Sequence, residues 1–275
     1  MSAKAVKTRD ARPKMPKDWF ERQEKGGFYA AVIWSLAALS FGYAFFHRVT
    51  PSVMVSDLMT EFAIGGAMLG MLSALYFYPY VLLQIPLGAL LETAGARLLL
   101  TLALSCAGAG SILFGLAESL YVAYLGRVLI GVGCGVGFLG SLALASRWFP
   151  PSQFGLLAGL TMFIGMGSGM LAQGPLALFV ESYGWRTSLF MLGATGFILA
   201  TAIFVLVRNA PFGSAGKKAE KVDRLPLLQV LKKAAQTIEV WKISLVAATM
   251  SGPMLVLGGL WGTPYMMAAY DLVRP

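Results

Sequence analysis

Arg48 is a cation set among apolar neighbours, in Phe45-Phe-His-Arg-Val-Thr-Pro51. A planar guanidinium donates two parallel hydrogen bonds to a carboxylate or a phosphate. Ionisable groups at membrane depth normally face a cavity, although an arginine near a helix end also snorkels to the interface as an anchor. His47, the sole histidine, precedes Arg48 and stacks one turn beyond Tyr43. An imidazole ordinarily titrates at about pH 6.5, so His47 serves either as a proton carrier or as a neutral hydrogen-bonding ring. Arg127 is a second cation inside an apolar stretch, either lining a cavity or packing. Gln84, Gln173, Tyr76 and Tyr80 place amides and phenols where lipid offers no partner, so each lines a wet cavity or bonds a neighbouring helix. Tyr76 and Tyr80 share one helix face and Tyr78 points elsewhere. One histidine supplies neither a histidine metal cluster nor a Ser–His–Asp set. No catalytic residue, metal site or cofactor is expected. Cys106 and Cys134 read as packing thiols.

The elements that carry these residues repeat. Gln-x-Pro-Leu-x-x-x-x-Glu-x-x-Gly-x-Arg occurs as Gln84, Pro86, Leu87, Glu92, Gly95, Arg97 and again as Gln173, Pro175, Leu176, Glu181, Gly184, Arg186. Every matched pair is 89 residues apart, and the same offset joins Gly42 to Gly131 and Gly70 to Gly159. Three apolar spans separate the copies, so the two loops belong on opposite sides of a membrane. Inverted duplications of this kind build many secondary transporters.

Hydrophobic residues fill 57% of the 275 positions and charged residues only 13%, and the mean hydropathy is +0.70. A soluble surface needs more charge. The uncharged runs Phe28–Phe46, Phe62–Leu91, Leu98–Ala117, Val128–Ser146, Trp148–Val180, Thr187–Val207 and Ile243–Tyr270 each reach the roughly 20 residues that cross a bilayer. Seven transmembrane helices are therefore expected, and no strand pattern competes.

The net charge of +9 is not spread as in a nucleic-acid binder. Of 22 Lys and Arg, eight lie in the first 25 residues and eight between Arg208 and Lys242. That is the positive-inside distribution of a multi-pass protein with its N-terminus in the cytoplasm, here a bacterial inner membrane. Such segments also attract anionic lipid headgroups. The leader lacks the pattern of a cleaved signal peptide.

Four regions follow: a basic leader at 1–27, a six-helix bundle at 28–207, a cytoplasmic connector at 208–242, and a further span from 243 to 275. The connector opens with a flexible stretch from Asn209 to Gly216. From Leu225 its apolar residues recur at helical spacing, which predicts a helix on the membrane surface. An odd helix count after a duplicated six-helix unit reads as a transporter cut shortly into its second half, with the remaining helices needed for a full carrier.

The loop Gly88-Ala-Leu-Leu-Glu92-Thr-Ala-Gly95-Ala-Arg97 resembles the Gly-x-x-x-Asp-Arg-x-Gly-x-Arg signature of the major facilitator superfamily, and the resemblance extends over the whole chain. It implies an all-α membrane protein, a bundle of inverted three-helix repeats that transports by alternating access. By that resemblance Glu92 and Arg97, with Gly88 and Gly95, form a cytoplasmic latch, and Glu181 and Arg186 repeat the arrangement on the other side. The segment His47-Arg48-Val-Thr-Pro-Ser-Val-Met54 resembles the first helix of the superfamily's organic-anion branch, where an arginine at the matching place binds the solute's carboxylate or phosphate. Arg127, Gly131 and Gly133 are similar to a fourth-helix motif of proton-coupled members.

Three departures stand beside these likenesses. Glu92 and Thr93 replace Asp and Arg of the loop signature. Cys134 stands where proton-coupled relatives often carry an acid. The seventh-span segment Pro253–Gly262 lacks the second arginine of sugar-phosphate antiporters. These expectations converge on a carrier of a small, carboxylate-bearing organic solute, with a proton or another coupling ion as a further partner. The alternatives are an amino-acid or dipeptide carrier of the same superfamily and a truncated, non-transporting membrane protein.

Overall fold

The computed structural model describes residues 27–210, 235–257 and 261–270. The basic leader and most of the expected surface helix after Leu225 lie outside the described residues. Among the described residues ten α-helices run in the order α1 (Phe28–Val53), α2 (Val55–Glu61), α3 (Gly66–Thr93), α4 (Ala96–Gly115), α5 (Leu120–Cys134), α6 (Gly137–Trp148), α7 (Phe154–Tyr183), α8 (Trp185–Leu206), α9 (Ile238–Val256) and α10 (Gly262–Tyr270). No strand occurs among the described residues.

Among the described residues six segments are long and apolar enough to cross a membrane: Phe28–Val53, Gly66–Gln84, Ala96–Gly115, Leu120–Trp148, Pro151–Tyr183 and Trp185–Leu206. In lipid every backbone N–H and C=O must find its partner inside the segment, which makes helix the outcome for each uncharged run. The fourth span begins at Leu120, earlier than the uncharged run at Val128, because the Arg127 side chain is absorbed within the bundle. It comprises α5 and α6, whose hydrogen-bond ladder lapses at Gly135 and Val136 although both keep right-handed helical angles. The stretch expected as a seventh span holds α9 and α10, neither of which is among those six, and 258–260 lie outside the described residues.

The helices pack as a duplicated unit. α4 lies along α8, α1 along α7, and α3 along α5. Shifting by 89 residues turns the α1–α7 contact into the α5–α3 contact and returns the α4–α8 contact to itself. The detail agrees: a Cβ on Gly42 would stand 2.6 Å from Ser168 Oγ, and one on Gly131 would stand 2.8 Å from Pro79 Cγ. Those two pairs are equivalent under the same shift. The turns match as well, since Gly95 and Gly184 open α4 and α8 with φ of 82° and 81°, a conformation that L side chains rarely adopt.

The close approaches rest on glycine, as expected where helices associate without a hydrophobic drive between them. A Cβ on Gly126 would meet Phe114 Cβ at 2.8 Å and the Gly110 carbonyl oxygen at 2.9 Å, so α4 and α5 touch backbone to backbone. The interior is lined by Ile33, Leu72, Tyr76, Leu100, Phe114, Ile130 and Leu189, all fully buried. α3 and α7 turn apolar side chains outward, among them Leu82, Phe163 and Met170.

Candidate functional site

Four residues sit in the bundle interior although lipid-facing helices could not hold them. Arg127 and His47 are wholly inaccessible, Tyr76 likewise, and Arg48 is half-buried. The position of Arg127 follows from a proline. Pro51 has no N–H, so the carbonyl of His47, four residues earlier, lacks its helical donor. Arg127 Nη1 donates to that carbonyl at 3.0 Å, and Arg127 Nε donates to the Leu72 carbonyl at 3.3 Å. One guanidinium thereby ties α5 to α1 and α3.

Aromatic rings enclose the other cation. The Arg48 guanidinium carbon stands 4.3 Å from the Phe45 ring centroid, 5.5 Å from Phe77, 5.7 Å from Tyr80 and 6.0 Å from Tyr76. Ring faces attract a cation at these separations. Arg127 shares one of the four, lying 5.2 Å from the Tyr76 centroid. Both guanidinium groups therefore converge on Tyr76, whose hydroxyl donates to the Ala44 carbonyl at 3.0 Å. Tyr80 stacks on Tyr76 at 6.0 Å, and Gln84, one turn further along α3, donates through Nε2 to the Gly135 carbonyl at 3.4 Å. Tyr78 is exposed, as the helical spacing predicts.

His47 completes the cluster. Its ring packs edge-on against Tyr43 at 4.4 Å, and its Nε2 lies 3.4 Å from Ser111 Oγ on α4. Tyr43 reaches across to donate to the Leu192 carbonyl at 3.0 Å. The contacts thus join Tyr43, His47, Arg48, Tyr76, Tyr80 and Arg127, drawn from α1, α3 and α5, and Gln84 lies outside them on the Gly135 carbonyl. Gln173 is half-buried on α7, which packs along α1.

The cluster is chemically one-sided. His47 Nδ1, Arg48 Nε, Ser73 Oγ and Arg127 Nη2 are buried without a hydrogen-bond partner. Among the described residues no ion pair reaches Arg48 or Arg127, and Glu61 pairs with Arg186 at 2.7 Å. One buried and one half-buried cation, each with a donor to spare, favour an anion nearby, because an unpaired charge away from water is costly.

The repeated loops lie at opposite ends of the antiparallel α4–α8 pair. At one end Arg97 Nε donates to the Phe204 carbonyl at 2.8 Å, in the last turn of α8. At the other Arg186 Nη1 donates to the Gly115 and Ala117 carbonyls at 2.8 and 2.9 Å, at the end of α4. The Arg97–Phe204 and Arg186–Gly115 bonds interchange under the 89-residue shift, each a cation on a helix C-terminus where the macrodipole favours it. Glu92 and Glu181 are exposed at their respective ends, and Gly88 is exposed on α3. Arg186 thus takes its carboxylate from Glu61, so the second copy is held differently from the first.

Several participants escaped the sequence. Phe45 and Phe77 wall in Arg48, and spacing offered the signal, since Phe45 stands three residues before it on one helix face. Asn209, read as the start of a flexible stretch, instead accepts at Oδ1 from the Arg97 backbone N–H at 2.9 Å. Its side chain occupies the space where a Cβ on Gly95 would stand. Beside it Trp148 Nε1 donates to the Arg208 carbonyl at 3.0 Å.

The family model described as Major Facilitator Superfamily matches residues 17–273. The chain belongs to the Major Facilitator Superfamily. Among curated major-facilitator relatives, an uncharacterized transporter of Bacillus subtilis is 26% identical over 80% of this chain and 49% of its own length. The probable sulfoacetate transporter of Cupriavidus necator is 26% identical over 63% of this chain and 41% of its own. The probable galactarate/D-glucarate transporter of Escherichia coli K12 is 21% identical over 74% and 47%. The chain therefore spans about half the length of the curated relatives it matches. A bacterial homologue of the human lysosomal transporter Spinster, inward-facing and unoccupied, superposes with a TM-score of 0.71 at 17% identity, over 90% of this chain and 57% of that one. At that identity the likeness is one of fold.

Proposed function

We propose that this major-facilitator chain supplies the anion-binding half of a secondary carrier for a small organic anion. The observation that carries the reading is the convergence of Arg48 and Arg127 on Tyr76, with buried donors unsatisfied around them. The Cupriavidus and Escherichia relatives, named as probable transporters of sulfoacetate and of galactarate/D-glucarate, support the same reading.

Two guanidinium groups are available to the solute in this reading. A solute with two acidic groups bridges them, and a monoanion takes Arg48 with Arg127 as background charge. In this reading the basic segments and the Arg97 end face the cytoplasm of a bacterial inner membrane. Glu92 and Arg97, with Gly88 and Gly95, act as the latch there, and Glu181 and Arg186 stand at the opposite mouth. Transport proceeds by alternating access around the central cluster.

The test is a thermal-unfolding screen of the purified chain against organic sulfonates, aldarates, monocarboxylates, amino acids and dipeptides. A ligand that binds only the folded state adds about 2.7 kcal/mol of stability at 100 times its Kd. The expected result is a rise in melting temperature with an organic anion, absent from Arg48→Ala. Stabilisation by neutral or cationic solutes alone, or an anion effect that survives Arg48→Ala, overturns the proposal.

A further inference from the structure

Phe45 covers Arg48 because α7 leaves room for it. Gly165 and Gly169 stand one turn apart on α7. A Cβ on Gly165 would meet Phe41 Cε1 at 2.6 Å and Phe45 Cδ2 at 3.1 Å, and the nearest atom to one on Gly169 is Phe45 Cδ1 at 3.4 Å. Two rings of α1 are thus seated on α7, and a larger residue at Gly165 would displace them. The rings continue in a row, with Phe138 of α6 centred 5.0 Å from Phe41, and Phe41 centred 4.9 Å from Phe45. From α3, Tyr76 stands 5.0 Å from Phe77 and 6.0 Å from Tyr80, and all three approach the same Arg48 guanidinium as Phe45.

The polar groups around these rings already have partners. Thr50 and Ser52, just beyond Arg48 on α1, donate to the Phe46 and Val49 carbonyls at 2.9 and 2.7 Å. The Tyr43 and Tyr76 hydroxyls donate to the Leu192 and Ala44 carbonyls, and the Gln84 amide donates to that of Gly135. A hydroxyl-rich solute must displace such bonds or go unmet, and both are costly away from water. A flat apolar body needs no such partners and gains from ring contact. Of the four rings at Arg48, Phe45 and Phe77 carry no polar atom.

We infer that this site selects a carboxylate borne on an aromatic body, with Phe45 and Phe77 as specificity-determining residues. Arg48 takes the carboxylate, and the rings beside it take the flat remainder of the solute. The inference rests on the reading of the cluster as an organic-anion site and names the body that the anion carries.

The test is thermal unfolding of the purified chain with benzoate, cyclohexanecarboxylate, D-glucarate and neutral benzamide. Benzoate reaches half of its full effect on melting temperature at a concentration roughly two- to tenfold below cyclohexanecarboxylate, the range that one aromatic contact supplies. D-glucarate is weaker still, and benzamide gives no rise because Arg48 has no carboxylate to hold. Phe45→Leu and Phe77→Leu, which keep apolar bulk, each bring benzoate to within about twofold of cyclohexanecarboxylate. Phe45→Tyr, which keeps the ring, retains the preference. The two leucine variants are separate readings, so one that fails to fold leaves the other to decide.

The parent protein decides even without them. Cyclohexanecarboxylate or D-glucarate binding as tightly as benzoate overturns the inference, as does an equal response to benzamide. So do leucine variants that keep the parent's preference. Stabilisation by D-glucarate alone removes the aromatic body and leaves the organic-anion reading standing, whereas silence from every anion removes both.

Discussion

The carbonyl of His47 accepts a 3.0 Å hydrogen bond from Arg127, in place of the helical donor that Pro51 cannot supply. A helix-breaking residue on one span is thus repaired by a buried cation on another. The repair leaves Arg127 Nη2 without a partner beside Tyr76. Structural and ligand-binding readings of Arg127 are therefore not rivals: two of its nitrogens hold helices and the third remains available.

The repair is measurable as a coupling. Arg127→Leu removes two hydrogen bonds from a charged donor, each worth about 1.5–3 kcal/mol, and lowers the melting temperature. In a Pro51→Ala background the helix regains its own donor for His47, and the same substitution costs less. A double-mutant cycle on unfolding in detergent should show a coupling of about 1 kcal/mol. Strict additivity would mean that the proline and the arginine are independent.

Helix contact through glycine predicts a sharp contrast between positions. Gly126→Val forces a side chain against Phe114 and the Gly110 carbonyl, where a Cβ already stands only 2.8 to 2.9 Å away. Overpacking of this kind costs about 1–3 kcal/mol, more where backbone must move. Gly167→Ala meets nothing within 4 Å and should be neutral or stabilising by up to about 1 kcal/mol from helix propensity. Thermal unfolding of the two variants side by side decides it.

The twin turns differ in what surrounds them. Gly95 and Gly184 share the same backbone conformation, and alanine at either costs about 1–3 kcal/mol of strain. Only at Gly95 does a neighbour, Asn209, occupy the added methyl's place. Gly95→Ala should be the more destabilising of the two. Asn209→Ala should narrow the difference without abolishing the cost of either. Equal melting temperatures for the two alanine variants would remove Asn209 from the account.

Arg186 offers a test of what an exposed ion pair adds. Its partner Glu61 is 43% exposed and Arg186 34%, so screening limits the pair to about 0–1 kcal/mol. Glu61→Gln should shift stability by no more than that, and high salt should erase the shift. Arg186→Ala also leaves the Gly115 and Ala117 carbonyls unmet, so its loss should exceed that of Glu61→Gln and survive high salt. A salt-sensitive loss in Arg186→Ala would assign the contact to charge alone.

The spans, the repeat and the interior setting of Arg48 were legible because they are local or periodic. An uncharged run in lipid has helix as its outcome, and an offset of 89 is visible wherever both copies keep the same residue. What stayed hidden depends on register between distant segments. Nothing near Asn209 announces that it caps a helix opened 112 residues earlier. Glu61 meets Arg186 rather than either interior arginine because α2 carries it to the end of the bundle. The pairing of Arg127 with Pro51 lies between these cases, since the proline's missing donor is written in the chain but its replacement is not.

The matching turns and the interchanged arginine bonds describe two descendants of one ancestral unit, and the descendants have specialised. His47 and Arg48 occupy the level that Val136 and Gly137 hold in the second copy, beside the lapse at Gly135. The first copy loses a helical bond at Pro51 and regains it from Arg127 of the second, and the second has its own lapse at Gly135. An anion held at Arg48, as proposed, would lie level with that lapse in the second copy.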